Sequence, residues 1–331
     1  MVGLGIGMLA TIIIIQVMSV FEAQRRTTSG SADAQTNGGI AMYNIARELQ
    51  IAGYPLMPVE DSALECTTVT GTLNGTAASP SRLSPVAIAD DVVGAGVNAS
   101  PSDTITIRYG TSAMGGVPTP IGGVGAPTAT DATVGTNFGC QAGDISLMTN
   151  GLACTLSTVS AVAAATTITL ADATAALGAN LACMGSWNEI TYTVNNGNLE
   201  RNGVPSVAGI VNLQAQYGVS AIASSNQVTQ WVNATGGTWS APTVADRNRI
   251  KAVRIAVVAR NAKMEPTAVT AVCSSTTAAA PTGMCAWEGS AASPAPAVSL
   301  NAGDPNWAKY RYRVFETIIP LRNMIWSRET L

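Results

Sequence analysis

Histidine is absent from the 331-residue sequence, and only 11% of the residues are charged. Without histidine the chain lacks the commonest general base, the commonest metal ligand and every Ser-His or Cys-His nucleophile arrangement. Its 17 basic and 20 acidic residues leave a net charge of −3, which provides no basic field for a nucleic-acid backbone. With 47% hydrophobic residues the chain is too apolar to be disordered. We therefore expect a folded protein that is not an enzyme, needs no cofactor or metal and binds no nucleic acid.

The first 21 residues also lack charge, and the first ionisable side chain is Glu22. A helix of this length spans about 31 Å, which matches a hydrocarbon core of about 30 Å. A cleaved secretory signal would need a basic start and a small-residue cleavage site, and neither is present. A buried core helix would be amphipathic, whereas this apolar run is continuous. The pattern favours a membrane-spanning anchor over residues 1–21, with the isoleucines Ile12, Ile13, Ile14 and Ile15 at its centre.

Two glycines in the anchor, Gly3 and Gly7, are four residues apart and share one helix face. Small residues at this spacing allow close packing of one helix against another. Glycine is also simply common in membrane helices, so the two interpretations stay open.

The six cysteines contain no C-x-x-C pair, and their even number in an anchored chain outside the cytosol favours disulfides over a zinc site. Local spacing favours a Cys273–Cys285 bridge and, less strongly, a Cys140–Cys154 bridge. Cys66 and Cys183 are then the remaining candidates, and a pair of buried thiols is the alternative.

Helical periodicity continues beyond the anchor, and the stop signal Gly53-Tyr54-Pro55 ends it. Arg47 and Glu48 lie off its apolar stripe. The sequence thus predicts an N-terminal helix over residues 1–54, amphipathic over 22–54, and a head domain over 55–331. The stripe expected to pack against the head consists of Ala41, Ile45, Leu49 and Ala52.

Beyond Pro55 the period becomes that of β-strands, with Asn196-Gly197 as a hairpin turn. Long Gly/Pro/Ala/Thr-rich loops are expected over 111–139 and 274–306. The acidic pair Asp90-Asp91 and the acids at 60–65 are interpreted as solvated turns. Of the six tryptophans, some are expected to pack in the core and those in loops to provide contacts for partners. Strands are predicted at 104–109, 166–170, 189–194, 199–201, 211–218, 253–260 and 311–320.

Several stretches resemble PilW-type minor pilins of type IV pili. They lie at 1–10, 35–41, 47–54, 211–219, 250–260 and 313–323, the last ending in Leu321-Arg322-Asn323. The resemblance implies an α+β, type IV pilin-like fold, in which the long helix packs on an antiparallel β-rich head with long loops. It implies a subunit of the inner membrane with a periplasmic head, which primes or caps a pilus. The implied partners are other minor pilins, the major pilin, the pilus assembly platform and a PilY-type tip adhesin.

The sequence departs from this family at two points. Relatives begin with a basic leader, a glycine cleavage site and a glutamate within the apolar run, and we expect such a segment to be encoded upstream of Met1. Without a basic leader, Arg25 and Arg26 alone would favour the opposite orientation. After Val219 the chain has Ser220 to Ser225 in place of an Asp-rich run, so no Ca²⁺ site is expected. The alternatives are a type II secretion minor pseudopilin and a membrane-anchored periplasmic binding protein.

Overall fold

One long helix forms the N-terminal part of the chain, and three β-sheets form most of the rest. In the computed structural model, the described residues are 2–56, 66–93, 101–122, 130–163, 166–172, 178–300 and 304–325. The acids at 60–65 lie outside these ranges. The helices are α1 Val2–Ile51, α2 Gly236–Trp239, α3 Val244–Arg247 and α4 Arg322–Ile325.

Seventeen described strands form the head, and all of their pairings are antiparallel except β1 with β8. The chain is thus an apolar N-terminal helix followed by a large, antiparallel β-rich head of mixed α+β type. The strands are β1 Thr68–Leu73, β2 Thr76–Ala77, β3 Val86–Val93, β4 Pro101–Tyr109, β5 Thr119–Pro120, β6 Asp131–Thr133, β7 Ile145–Thr149, β8 Ala153–Ala163, β9 Thr167–Leu170, β10 Asn180–Cys183, β11 Asn188–Asn195, β12 Asn198–Arg201, β13 Val204–Ala208, β14 Ile210–Ser220, β15 Val228–Val232, β16 Ile250–Met264 and β17 Tyr310–Pro320.

The strands are arranged in three sheets. A four-stranded sheet has the order β15-β14-β16-β17, and a five-stranded sheet has the order β13-β12-β11-β4-β3. An eight-stranded sheet follows the path β2-β1-β8-β7-β10-β5, with β9 on β8 and β6 on β9. All of the predicted strands are present. The predicted hairpin joins β11 to β12, and its turn residues Asn196 and Gly197 both have positive φ, as this tight turn requires.

The main core lies where α1 meets the four-stranded and five-stranded sheets. Alternate residues of the strands point towards the helix, so one face of β16 supplies Val253, Ile255 and Val257 to this core. Ala41, Ile45, Leu49 and Ala52 are fully buried in it. The predicted stripe therefore faces the sheets.

The opposite face of the four-stranded sheet is covered by the long segment that joins β16 to β17. Its Trp287, Ala295 and Leu300 are buried against that face. Trp287 stacks under the guanidinium of Arg254, with 4.6 Å from the guanidinium carbon to the ring centroid. The interpretation of loop tryptophans as partner contacts was therefore wrong for Trp287, because its ring is part of the head's own packing.

Three disulfides pair all six cysteines. Cys273 is bonded to Cys285, as local spacing favoured. The predicted Cys140–Cys154 bridge was wrong, because Cys140 is bonded to Cys183 and Cys154 to Cys66. The parallel register of β1 on β8 brings the start of β1 beside Cys154, so this contact depends on a pairing between distant segments.

Two side chains of β4 connect the five-stranded sheet to the part of β14 that is not paired with β15. The Ser102 hydroxyl accepts the N–H of Leu213 at 2.9 Å and donates to its carbonyl at 3.1 Å. The Asp103 carboxylate accepts the N–H of Ala215 at 2.6 Å and that of Asp91 at 3.0 Å. Asp90 and Asp91 lie at a bulge within β3 and not in a solvated turn, so that interpretation was wrong.

We expect head stability to fall as the pH rises from about 4 to about 7. Burial, opposed by the two N–H donors, raises the pKa of Asp103 to about 7. The folded chain therefore binds a proton that the unfolded chain has released, and this contribution to stability is lost on ionisation. The loss is on the order of a few kcal/mol. Urea unfolding from pH 4 to pH 8, with the full chain in detergent micelles, measures it.

An Asp103→Asn variant should have a flatter pH profile over this window, because it cannot ionise. Asp33→Asn, on the exposed surface of α1, is the control and should keep the wild-type profile. An unchanged slope in Asp103→Asn would refute the assignment.

Candidate functional site

The exposed half of α1 is the most unusual surface of the described chain. The window Gly5–Glu22 has a mean hydropathy of 1.9 and none of it is buried, so this helix is long and apolar enough to cross a membrane. The predicted isoleucines are all exposed: Ile12 by 50%, Ile13 by 58%, Ile14 by 57% and Ile15 by 66%. Exposed apolar surface of this extent requires a lipid or protein environment that the single chain does not supply.

Two hydroxyl groups within this exposed half are satisfied inside the helix. The Thr11 hydroxyl donates to the carbonyl of Met8 at 2.9 Å, and the Ser19 hydroxyl to that of Gln16 at 2.8 Å. No heavy atom lies within 4 Å of a Cβ built at Gly3 or Gly7, so both glycines face open space. The face that they share is free to receive another helix.

The helix contacts the head at two glycines, Gly30 and Gly38, which the sequence did not identify as contact residues. A Cβ at Gly30 would overlap the side-chain amide of Asn261 in β16, and one at Gly38 would overlap the ring of Phe315 in β17. Glycine at these positions thus allows the helix to lie directly on the strands. Gly30 costs helix propensity but does not interrupt α1.

An ion pair with one buried partner links the helix to the head near the C-terminal end of the helix. Glu48 is only 5% exposed, although it lies off the predicted stripe, because Arg201 of β12 covers it. Its Oε1 accepts from Arg201 Nη2 at 2.8 Å and from Nε at 3.1 Å. Burial and the neighbouring carboxylate of Glu48 raise the pKa of Tyr192, so this tyrosine stays neutral.

The end of the helix is capped by a residue from the far end of the chain. Gly53, with a φ of +79°, turns the backbone after α1, and its N–H donates to the carbonyl of Arg108 at 2.8 Å. The side-chain amide of Asn323 donates to the carbonyls of Ala52 at 2.9 Å and Ile51 at 3.3 Å. Carbonyls at a helix end lack intrahelical partners, and here Asn323 and the N–H of Tyr54, which donates to Ile51 at 3.1 Å, supply them.

A second charged cluster links two neighbouring strands, β11 and β4, to the turn Pro80–Leu83 that precedes β3. Glu189 of β11 accepts from Arg82 and from Arg108, with Nε-to-Oε1 distances of 3.1 Å in both pairs. Burial alone would raise the pKa of Glu189, but the two guanidinium groups lower it below its usual value. Among the described residues, no group of three cysteine or carboxylate side chains is placed to hold a metal ion.

Fold and helix together define a class: a β-rich head packed against one apolar N-terminal helix that could anchor in a membrane. Residues 182–323 match the model of the PilW family, the type IV pilus-assembly protein W. The match supports a type IV pilus-assembly protein family, which implies association with pilus components. It includes β11 to β17 and ends at Asn323, the residue that caps α1. No curated protein and no solved structure matches the chain.

Proposed function

We propose that this protein is a minor pilin, which is held in the inner membrane by its helix and drawn into a type IV pilus. One observation carries the proposal: the exposed apolar half of α1 and its docked half form a single uninterrupted helix. A pull on the membrane half is therefore transmitted directly to the head.

The mechanism is an exchange of apolar environments. In the bilayer, lipid tails cover the residues around Ile13; in the filament, helices of neighbouring subunits cover the same residues. Because the helix satisfies its own backbone hydrogen bonds, it can leave lipid without exposing polar groups. The open face at Gly3 and Gly7 then permits close helix packing.

This proposal includes a pilin-like fold and a head on the periplasmic side. Its partners are other minor pilins, the major pilin, the assembly platform and a PilY-type tip adhesin, with which the subunit primes or caps the pilus. The role is structural, without catalysis or a cofactor. A type II secretion minor pseudopilin shares the same mechanism and differs in the filament that it joins.

We expect Ile13→Asp to reduce incorporation into sheared pili at least tenfold. Ile13 lies at the centre of the apolar window, where a carboxylate costs about 2.5–3.5 kcal/mol in a membrane helix. The measurement is the amount of this subunit in purified filaments relative to its amount in cells.

Ile222→Asp is the matched control. Ile222 is 61% exposed, close to the 58% of Ile13, but it lies in the head. It should leave incorporation unchanged. Wild-type incorporation of Ile13→Asp would refute the helix-packing mechanism. Recovery of the wild-type subunit only in secretion-system filaments would favour the pseudopilin.

A further inference from the structure

A cavity of about 470 Å³ lies in the head, remote from the exposed half of α1. Three separate segments form it: the turn Pro80–Leu83 with the start of β3, the middle of β14, and the segment 240–247 that ends in α3. Its size is that of a pocket for a small organic molecule. Most of its lining is apolar, namely Pro80, Val86, Ile88, Ala241, Pro242 and Val244.

A buried arginine lines this cavity. Arg247 is only 3% exposed, and one of its Nη atoms donates to the carbonyl of Pro80. Its Nε has no hydrogen-bond partner among the described residues. Burial lowers the pKa of Arg247, and no neighbouring acid opposes this effect. A guanidinium in such surroundings still keeps its charge.

The nearby acids of the described chain are engaged elsewhere. Asp246, adjacent in sequence, pairs with Arg249 at 3.3 Å and accepts the hydroxyl of Thr243 at 2.7 Å. Glu189 is shared by Arg82 and Arg108. Buried cations in proteins are paired as a rule, so Arg247 has the environment of a cation whose anion comes from outside.

A tyrosine adds a second polar group to the cavity. Tyr217 is almost fully buried, and its hydroxyl oxygen accepts the N–H of Ile88 at 2.6 Å. Burial raises its pKa to about 12, so the hydroxyl retains its proton. The cavity thus combines an apolar wall with a cation and a hydroxyl, the usual composition of a site that orients a small ligand.

We propose that this cavity binds a carboxylate with a compact apolar body, the carboxylate pairing with Arg247 and the body lying against the apolar wall. A planar guanidinium suits a carboxylate because it can donate two parallel hydrogen bonds. The carboxylate can belong to a free organic acid or to the C-terminus of a peptide. This inference does not depend on the proposed role in pilus assembly.

Calorimetric titration of the full chain, in micelles of an uncharged detergent, tests the proposal. The probes are 3-phenylpropionate and its neutral amide, followed by the peptide acetyl-Ala-Val-Phe with a free or an amidated C-terminus, each corrected for micelles alone. We expect at least tenfold tighter binding of the acid within one of these pairs. If 3-phenylpropionate binds more tightly than its amide, a free organic acid is sufficient for binding. If only the peptide pair shows a preference for the acid, the ligand is the C-terminus of a peptide.

Two variants assign the preference to the cavity. Arg247→Met should abolish it, whereas Arg249→Met, which changes the arginine paired with Asp246, should retain it. If Arg247→Met does not fold, Arg247→Lys keeps the positive charge but cannot donate two parallel hydrogen bonds, and it should weaken the preference for the acid. A purely structural role of Arg247 would change stability without changing the ratio of acid to amide affinity. Equal binding of acid and amide in both pairs, or an unchanged preference in Arg247→Met or Arg247→Lys, would overturn the proposal.

Discussion

Replacing Ile45 with alanine should lower the free energy of unfolding by about 2–5 kcal/mol. Ile45 is fully buried between α1 and the sheets, so its removal loses apolar burial and leaves a cavity. Since domains are stable by about 5–15 kcal/mol, this is a large fraction of the total. Urea unfolding of the full chain in detergent, followed by tryptophan fluorescence, measures the loss.

Ile40→Ala provides the control on the same helix. Ile40 is 47% exposed, so the same truncation there should change stability by less than about 0.5 kcal/mol. Equal losses in the two variants would mean that the helix does not dock through the stripe of Ala41, Ile45 and Leu49.

The three disulfides should contribute unequally to stability. Cys66 and Cys154 are 88 residues apart, and loop-closure entropy then gives about 4–5 kcal/mol for their bridge. Cys273 and Cys285 are 12 apart, which gives about 3 kcal/mol. Thermal unfolding of the two double Cys→Ala variants should therefore show the larger decrease for the Cys66/Cys154 pair.

The short-loop variant serves as the control, because it also removes two cysteines from the head. A larger loss of stability for the Cys273/Cys285 variant than for the Cys66/Cys154 variant would show that chain entropy does not determine which disulfide stabilises the head more. The loops closed by Cys66–Cys154 and Cys140–Cys183 overlap in sequence, so removal of both bridges together is expected to be non-additive.

Local patterns made much of the fold predictable. The apolar stripe repeats at helical spacing, glycine and proline end the helix, and alternation marks the strands β4, β9 and β11. Asn196-Gly197 predicted its hairpin because few residues other than glycine and asparagine adopt positive φ readily. Each of these signals arises from residues close together in sequence.

What sequence reasoning missed depends on contacts between distant segments. β8 was not predicted, because its Thr, Ser and Ala residues give little hydrophobic alternation. Its buried Ser157 is stabilised by a contact outside the strand, since the hydroxyl donates a hydrogen bond to the carboxylate of Asp172 at 2.6 Å. The polar residues of β14 alternate as on a solvated strand, yet Gln216 is buried and donates to the carbonyl of Pro294 at 2.7 Å. The covering segment that buries it has no regular pattern.

The two candidate sites also differ in whether neighbouring residues in the sequence reveal them. The apolar anchor is visible in the sequence as an uncharged run, whereas the Arg247 cavity has no local signature. Three segments far apart in the chain form that cavity, and an arginine in a short helix resembles any surface cation. Glu48 likewise appeared to lie off the apolar stripe, and contacts with distant strands, through Arg201 of β12 and Tyr192 of β11, explain its burial.

The cap on α1 joins the N-terminal helix to a residue that is synthesised much later. Ala52 and Asn323 are 271 residues apart, so at about 5–20 residues per second the helix end waits tens of seconds for its cap. β17, which carries the ring packed at Gly38, also emerges long after α1. A chain interrupted before residue 310 therefore contains α1 but lacks both the strand and the cap that attach the helix to the head. Full attachment of the helix has to wait until translation has passed Asn323.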